Sequence, residues 1–505
     1  MSFLFCNCSP CSCLAVGRYS PNIIFAERTA ATSTGVPQLP PCDFKPQPYK
    51  GLPYDRVGQI RRENLSPGTL TFYKRPVLVH QGHMQWLFDH EGRRYLDMFA
   101  GIVTVSVGHS HPKVVQTLKE QADLLWHTTN IYWHPKIHEY AEKLASKMPG
   151  DLKVVYFVNS GSEANDLAML MARMHTRRYD VISFRNAYHG TSPYMMGVTA
   201  LGNWRFQVPA GFGVQQTINP DVYRGPWGGA HCRDSPVQTE RTCACAAGEC
   251  QACDGYVDQL QDVLRHSHPQ TGIAGFFAES IQGVGGTVQY PKGYLKKAFE
   301  LVREKGGVCI SDEVQTGLGR TGDHYWGFEM HDVIPDIVTM AKGMGNGIPL
   351  AAVVTTPEIA ACMSPSNAVH FNTFGGNPLS CAVGSTVLDV LEEDKCQERC
   401  RVVGTYLLEQ LSTLRDEFDI VGDVRGKGLM VGLELVADKE SKKPLPPSEM
   451  AAIFEATKDM GLLIGKSGLY GTCLRIKPPM CITQDDVDFT VAVLRKAFTD
   501  HVNSK

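Results

Sequence analysis

Ile337-Val338-Thr339-Met340-Ala341-Lys342-Gly343-Met344-Gly345-Asn346-Gly347 decides how the rest of this chain is read. The first four residues are apolar or β-branched and suit a short strand buried on both faces. A single lysine follows, and then glycines at 343, 345 and 347. Glycines at that density let the backbone turn tightly and approach a flat, bulky group. A lysine there is partly desolvated, which lowers its pKa and frees a nucleophilic amine. By itself the same lysine also fits a solvent-facing loop start.

Working outward, the same design recurs. Val154–Val158, Val181–Phe184 and residues 273–278 and 307–311 are short runs rich in Val, Ile and Phe, bounded by Gly, Asn or Asp. Helical patterns lie between them, as at 164–176 and 294–305. The alternation predicts an α/β layered domain with a mostly parallel sheet. From about Thr356 the pattern changes to long helices (379–392 and 398–417) and then short strands (428–435 and Cys473–Ile476), which reads as a smaller α+β lobe. Residues 84–101 predict a hairpin turning at 89–92. The chain thus divides into a leader (1–40), an N-terminal segment joining the small lobe (41–100), a large domain (101–355) and a small C-terminal domain (356–505).

In open α/β sheets ligands bind beyond the carboxyl ends of the strands, so the residues there carry the functional signal. After Val154–Val158 come Asn159, Ser160, Gly161 and Ser162, then a helix, a combination that offers free N–H groups and hydroxyls to a phosphate. An ordinary helix cap at Ser162 is the plain alternative. After 307–311 comes Asp312, placed to pair with a protonated ring nitrogen or simply to cap a turn. After Val181–Phe184, Tyr188 and His189 follow, and the tyrosine can stack on a heterocycle or belong to the core.

Composition removes several classes of function. The 505 residues are 43% hydrophobic and 20% charged, with a net charge of −3 and no basic block, so no nucleic-acid partner is expected. Apolar runs stop well short of a membrane span, and no membrane insertion is expected. No G-x-G-x-x-G follows the first strand of a βαβ unit, which counts against a dinucleotide. The 17 cysteines are scattered, as free thiols of a reducing compartment would be. Cys243, Cys245, Cys250 and Cys253 have a spacing that could hold zinc, but free thiols are the reading preferred, with no metal expected. Residues 1–40 carry Arg18 and Arg28, one acid, no lysine and many small polar residues, which suits a mitochondrial targeting segment or a plain extension.

SGSEAND (160–166), AYHG (187–190), DEVQTGLGRTG (312–322), AKGMGNG (341–347) and HFNTFGGNPLS (370–380) together resemble the class III aminotransferases. The longer stretches at 158–173, 224–238 and 421–435 resemble the mitochondrial alanine–glyoxylate branch of that family. The resemblance implies fold type I: a large domain with a mostly parallel seven-stranded sheet between helices, and a smaller α+β domain. It implies pyridoxal 5′-phosphate (PLP) as cofactor, with Lys342 taking the aldehyde as an imine and shuttling the α-proton. Asp312 would pair with the pyridine nitrogen, while Val314 and Tyr188 pack on the two ring faces and Gln315 lies near the phenolic oxygen. Ser160, Gly161 and Ser162 would hold the phosphate, His189 would lie beside the cofactor, and Thr373 would reach the phosphate of a neighbouring subunit. A homodimer or homotetramer with shared sites follows.

For the substrate, Arg475 matches the arginine that grips a carboxylate, and Glu279 the acid that can pair with it when that grip is not needed. Tyr132 and Trp133 are further candidates for the substrate pocket. The family usually has proline after this glutamate, and here Ser280 stands. The implied reaction moves an amino group from alanine to glyoxylate or pyruvate, with 3-aminoisobutyrate and methylated arginines as further donors. A PLP lyase or decarboxylase on the same scaffold is the alternative.

Overall fold

The computed structural model describes residues 35–69, 71–209, 211–241, 251–364, 366 and 369–505. Residues 1–34 of the expected targeting segment, and Cys243, Cys245 and Cys250 of the cysteine loop, lie outside them.

Seven strands form the central sheet: Val154–Val158 (β1), Val181–Phe184 (β2), Val214–Thr217 (β3), Gly275–Glu279 (β4), Val308–Asp312 (β5), Ile337–Met340 (β6) and Ala351–Thr355 (β7). Their spatial order is β1-β7-β6-β5-β4-β2-β3. The pairs β2·β3, β2·β4, β4·β5 and β5·β6 are parallel, whereas β7 runs antiparallel to both β1 and β6. The fold is α/β with a mostly parallel sheet. Residues in β2, β4, β5, β6 and β7 are buried throughout, because helices cover both faces, and this is why they read as unbroken apolar runs.

Two smaller sheets flank this one. Trp86–Asp89 and Arg94–Asp97 form the expected hairpin, joined by Val79–His83 and, in parallel, by Leu462–Leu463 from near the other end of the chain. A five-stranded sheet is built on Val421–Lys427, Met430–Asp438, Cys473–Ile476 and Gly465–Ser467, with Lys443–Pro444 paired to its second strand. The strand expected at 428–435 is Met430–Asp438, and an unexpected one, Val421–Lys427, precedes it across a left-handed Gly428 with φ 55°. One apolar cluster runs from Phe157 and Val338 of the central sheet through the helix Pro378–Glu393 into Leu433, Leu474 and Phe498. It ties the strand ends to the sheet that carries Arg475.

Candidate active site

The helix Gly161–Thr176 (α1) starts immediately after β1, and its cap is Ser160, not Ser162: Ser160 Oγ accepts from Glu163 N at 3.2 Å. Ser162 is thereby left to face the cleft, where its Oγ accepts from Thr191 N at 3.3 Å. Two glycines are dictated by contact here. A Cβ on Gly161 would lie 3.1 Å from Val314 Cγ2, and one on Gly190, whose φ is +124°, would lie 2.5 Å from Ser162 Oγ. Side chains at either place would fill the cradle between the start of α1 and the Tyr188–Gly190 loop.

Opposite this cradle stands Asp312, the last residue of β5 and 4% exposed. Its Oδ2 accepts from His189 Nδ1 at 2.8 Å and from Asn165 Nδ2 at 2.8 Å, and its Oδ1 accepts from Val314 N at 3.1 Å. A carboxylate can only accept, so His189 carries its proton on Nδ1. Lys342 follows β6 by two residues and holds φ at 47°, a left-handed conformation unusual for a residue with a side chain. Burial and then the nearby Arg475 charge lower its pKa, against the opposing pull of Asp312 and Glu279. A small cavity of about 100 Å³ brings together Ser160, Gly161, Ser162, Tyr188, His189, Glu279, Asp312, Val314, Gln315 and Lys342.

Arg475 sits on Cys473–Ile476 and is 3% exposed. Its guanidinium lies 5.2 Å from the centroid of the Phe99 ring and donates from Nη2 to Gln315 Oε1 at 2.9 Å. Burial pulls its pKa down to about 10. Glu279 does not take the arginine in this structure. Its Oε1 accepts from Tyr188 N at 3.2 Å and its Oε2 from Gly283 N at 2.7 Å. Burial, first of all, raises its pKa. The serine that replaces the family's proline has its own function in the packing: Ser280 is fully buried and its hydroxyl donates to Glu313, a carboxylate that also receives Thr316 Oγ1 at 2.9 Å and Gly327 N at 2.7 Å. A polar network thus shapes this turn in place of a ring.

Besides Arg475, which meets the cavity through Gln315, three expected site residues lie outside the cavity of their own chain. Thr373 is exposed, and so are Tyr132 and Trp133, at 67% and 92%.

A family model described as aminotransferase class-III matches residues 72–498. The mitochondrial alanine–glyoxylate aminotransferase 2 of Homo sapiens is 58% identical over 481 residues, covering 95% of this chain and 93% of that protein. The chain belongs to the class III aminotransferases. Among solved structures, an amine transaminase from an uncultivated Pseudomonas species, in its PLP-bound form, superposes with a TM-score of 0.76 at 29% identity, over 86% of this chain and 98% of that one. A phospholyase from Arthrobacter, solved with phosphoethanolamine, gives 0.79 at 30%, over 88% and 99%. The human relative's mitochondrial label bears out the expected location.

This transaminase therefore uses PLP, and the residues present fit that group. The cavity has an N–H-rich helix start with a glycine cradle at one side, a buried acid at another and a lysine amine with a lowered pKa between them. Among the described residues no group of three or more His, Cys, Asp or Glu is placed to hold a metal ion, and Cys253 is a buried free thiol. The sequence reading passed over Asn165, although it lies inside the quoted SGSEAND run, and Phe99, whose stacking on Arg475 left no local pattern to find.

Proposed function

We propose that this transaminase moves the amino group of alanine to glyoxylate, yielding pyruvate and glycine, with pyruvate as a further acceptor and 3-aminoisobutyrate and methylated arginines as further donors. The observation that supports it most is the bond from Arg475 to Gln315, which sets a buried guanidinium against the cavity that Gln315 and Lys342 line, together with the name carried by the human relative. When bound, PLP supplies an electron-poor ring that accepts the electrons of the bond broken at the amino donor's α-carbon.

The chain's own residues do the rest. Lys342 Nζ would hold the cofactor's aldehyde carbon, and as a free amine it would serve as general base for the donor's α-proton. Its lowered pKa suits both tasks, since an amine must be neutral to attack and to accept a proton. Asp312, through Oδ1, would face the ring nitrogen and keep it protonated. Val314 and Tyr188 would hold the ring between them, and Ser160, Gly161 and Ser162 would orient the phosphate. Gln315 accepts a hydrogen bond from Arg475 and would face the ring's phenolic oxygen. Arg475 grips the α-carboxylate by a two-pronged hydrogen bond. Glu279 stays with its two backbone amides until a substrate without that carboxylate arrives.

Each site is completed by a second copy of the chain. Trp126, Ile131, Tyr132, Trp133, Phe371 and Phe374 expose large apolar surface on two loops. Those loops are tied to each other by Asn130 Nδ2 to Gly375 O at 3.1 Å. Such a patch calls for a partner, and it carries Thr373 outward, towards the neighbour's phosphate.

The test is a panel of donors and acceptors on PLP-loaded protein, with borohydride reduction and peptide mapping. Alanine with glyoxylate should turn over, and the reduced pyridoxyl group should map to Lys342. Loss of the donor without any requirement for a keto acid would mean a lyase or decarboxylase. An adduct on another lysine would end the assignment of Lys342.

A further inference from the structure

We infer that Asn165, oriented by Thr339, is a positioning residue for the ring nitrogen of the cofactor: it fixes which oxygen of Asp312 is free to meet that nitrogen. The inference deepens the proposed pairing of Asp312 with the ring and rests on it.

Asp312 has four acceptor positions on two oxygens. His189 Nδ1 and Asn165 Nδ2 both bind Oδ2, at 2.8 Å each, and fill it. Oδ1 receives only Val314 N, at 3.1 Å, so a single acceptor position remains, on the oxygen of a residue that lines the cavity. Take away the Asn165 amide and Oδ2 regains an open position, so the carboxylate can rotate or present either oxygen.

The amide itself is held without freedom. Its two N–H groups go to acceptors that cannot donate, Asp312 Oδ2 and the His189 carbonyl at 2.9 Å. Its Oδ1 accepts from Thr339 Oγ1 at 2.7 Å. A flipped amide would set its oxygen against a carboxylate and a carbonyl, and would leave the Thr339 hydroxyl facing N–H groups. All three residues are buried, with Asn165 at 1%, Thr339 at 0% and Asp312 at 4% exposure. Buried polar groups that lose a partner are costly, so the chain of bonds has one low-energy arrangement. The fold supplies it through register: Thr339 pairs with Asp312 across β6 and β5, and α1 lays Asn165 over both.

A purely structural tether between α1 and the sheet would use the same bonds, and the cofactor separates the two roles. The apo protein is titrated with PLP and with 1-deaza-pyridoxal 5′-phosphate, which has C–H in place of the ring nitrogen. Asn165→Ala should bind PLP about 10- to 100-fold more weakly than the parent, the range for one lost hydrogen bond to a charged group, and should bind the deaza compound as the parent does. Thr339→Val, which keeps the volume, should show a smaller loss in the same direction, and Thr339→Ser should restore PLP binding. Equal weakening for both compounds would overturn the inference, as would no weakening for either. Asp312→Ala serves as the control. If it too fails to distinguish the compounds, the pairing of Asp312 with the ring is wrong; if it distinguishes them and Asn165→Ala does not, only the present inference falls.

Discussion

Replacing Arg475 with methionine should remove most keto-acid turnover while leaving the protein as stable as before, or slightly more so. The guanidinium is 3% exposed, and burial draws its pKa well down from the ordinary value, to about 10. At about 1.4 kcal/mol per tenfold, that depression means the folded state bears about 3 kcal/mol to keep the charge there. The sign is that of a base with a lowered folded-state pKa: the penalty is present at every pH below about 10 and fades only above it. Against it stand the bond to Gln315, worth about 1 kcal/mol, and the contact with the Phe99 ring, about 0.5–1 kcal/mol. Methionine keeps most of the apolar stem's packing. The balance favours the variant by about 1–2 kcal/mol, and for a chain of this length each kcal/mol moves Tm by roughly 1 °C.

Activity should move the other way. Two charge-assisted hydrogen bonds to a carboxylate are worth roughly 1.5–3 kcal/mol each, so kcat/KM for glyoxylate should fall about 10²- to 10⁴-fold. An amine donor that lacks a carboxylate loses no such contact and should react at close to the parental rate in its half-reaction. Calorimetry of the PLP-loaded variant gives Tm, and stopped-flow half-reactions give the two rate constants. A fall in Tm of several degrees would show that Arg475 holds the small lobe together. Equal loss for both donor classes would show that it does not read the carboxylate. Either result refutes the argument.

Gly190→Ala places a Cβ 2.5 Å from Ser162 Oγ on a backbone with φ +124°, and the apo protein should bind PLP at least about tenfold more weakly, as read by equilibrium dialysis, since strain of about 1–3 kcal/mol falls on the cradle. Asp423 offers a pH test away from the site. Burial pushes its carboxyl up, but Arg233, at 2.7 and 2.8 Å, and Arg425, at 2.9 Å, hold it well below the usual carboxylate range. Its contribution to stability is therefore full above about pH 4, the unfolded value, and is lost as pH falls towards the folded one. Asp423→Asn should cost about 3–5 kcal/mol near neutrality and progressively less below about pH 4, measured as the difference in urea midpoint; a pH-independent penalty would exclude the ion pair as its cause. On the proposed dimer, Trp133→Glu combined with Phe371→Glu should give monomers in light scattering and abolish turnover, and an unchanged mass would show that this patch is not the contact between copies.

The parts of the site that follow strand ends were legible because a buried strand and its terminal residue are neighbours in sequence: Asp312 and Lys342 each stand out against an apolar run. The antiparallel β7 carries the same apolar composition as its parallel neighbours, and direction leaves no trace in residues buried on both faces. What stayed hidden depends on register and rotamer. Asn165 looks like any polar residue in the first turns of a helix until β6 sets Thr339 beside Asp312. The family resemblance implied that Glu279 can pair with Arg475 when no carboxylate needs gripping, and here the two are apart. Their separation has a physical cause: Glu279 already receives two backbone N–H groups from turns fixed by glycine and by the buried Ser280–Glu313 contact. To reach Arg475 it would have to abandon both and displace Gln315. The uncharged Gln315 costs less to move than a carboxylate would, so on the proposed function a substrate's carboxylate would displace it from Arg475.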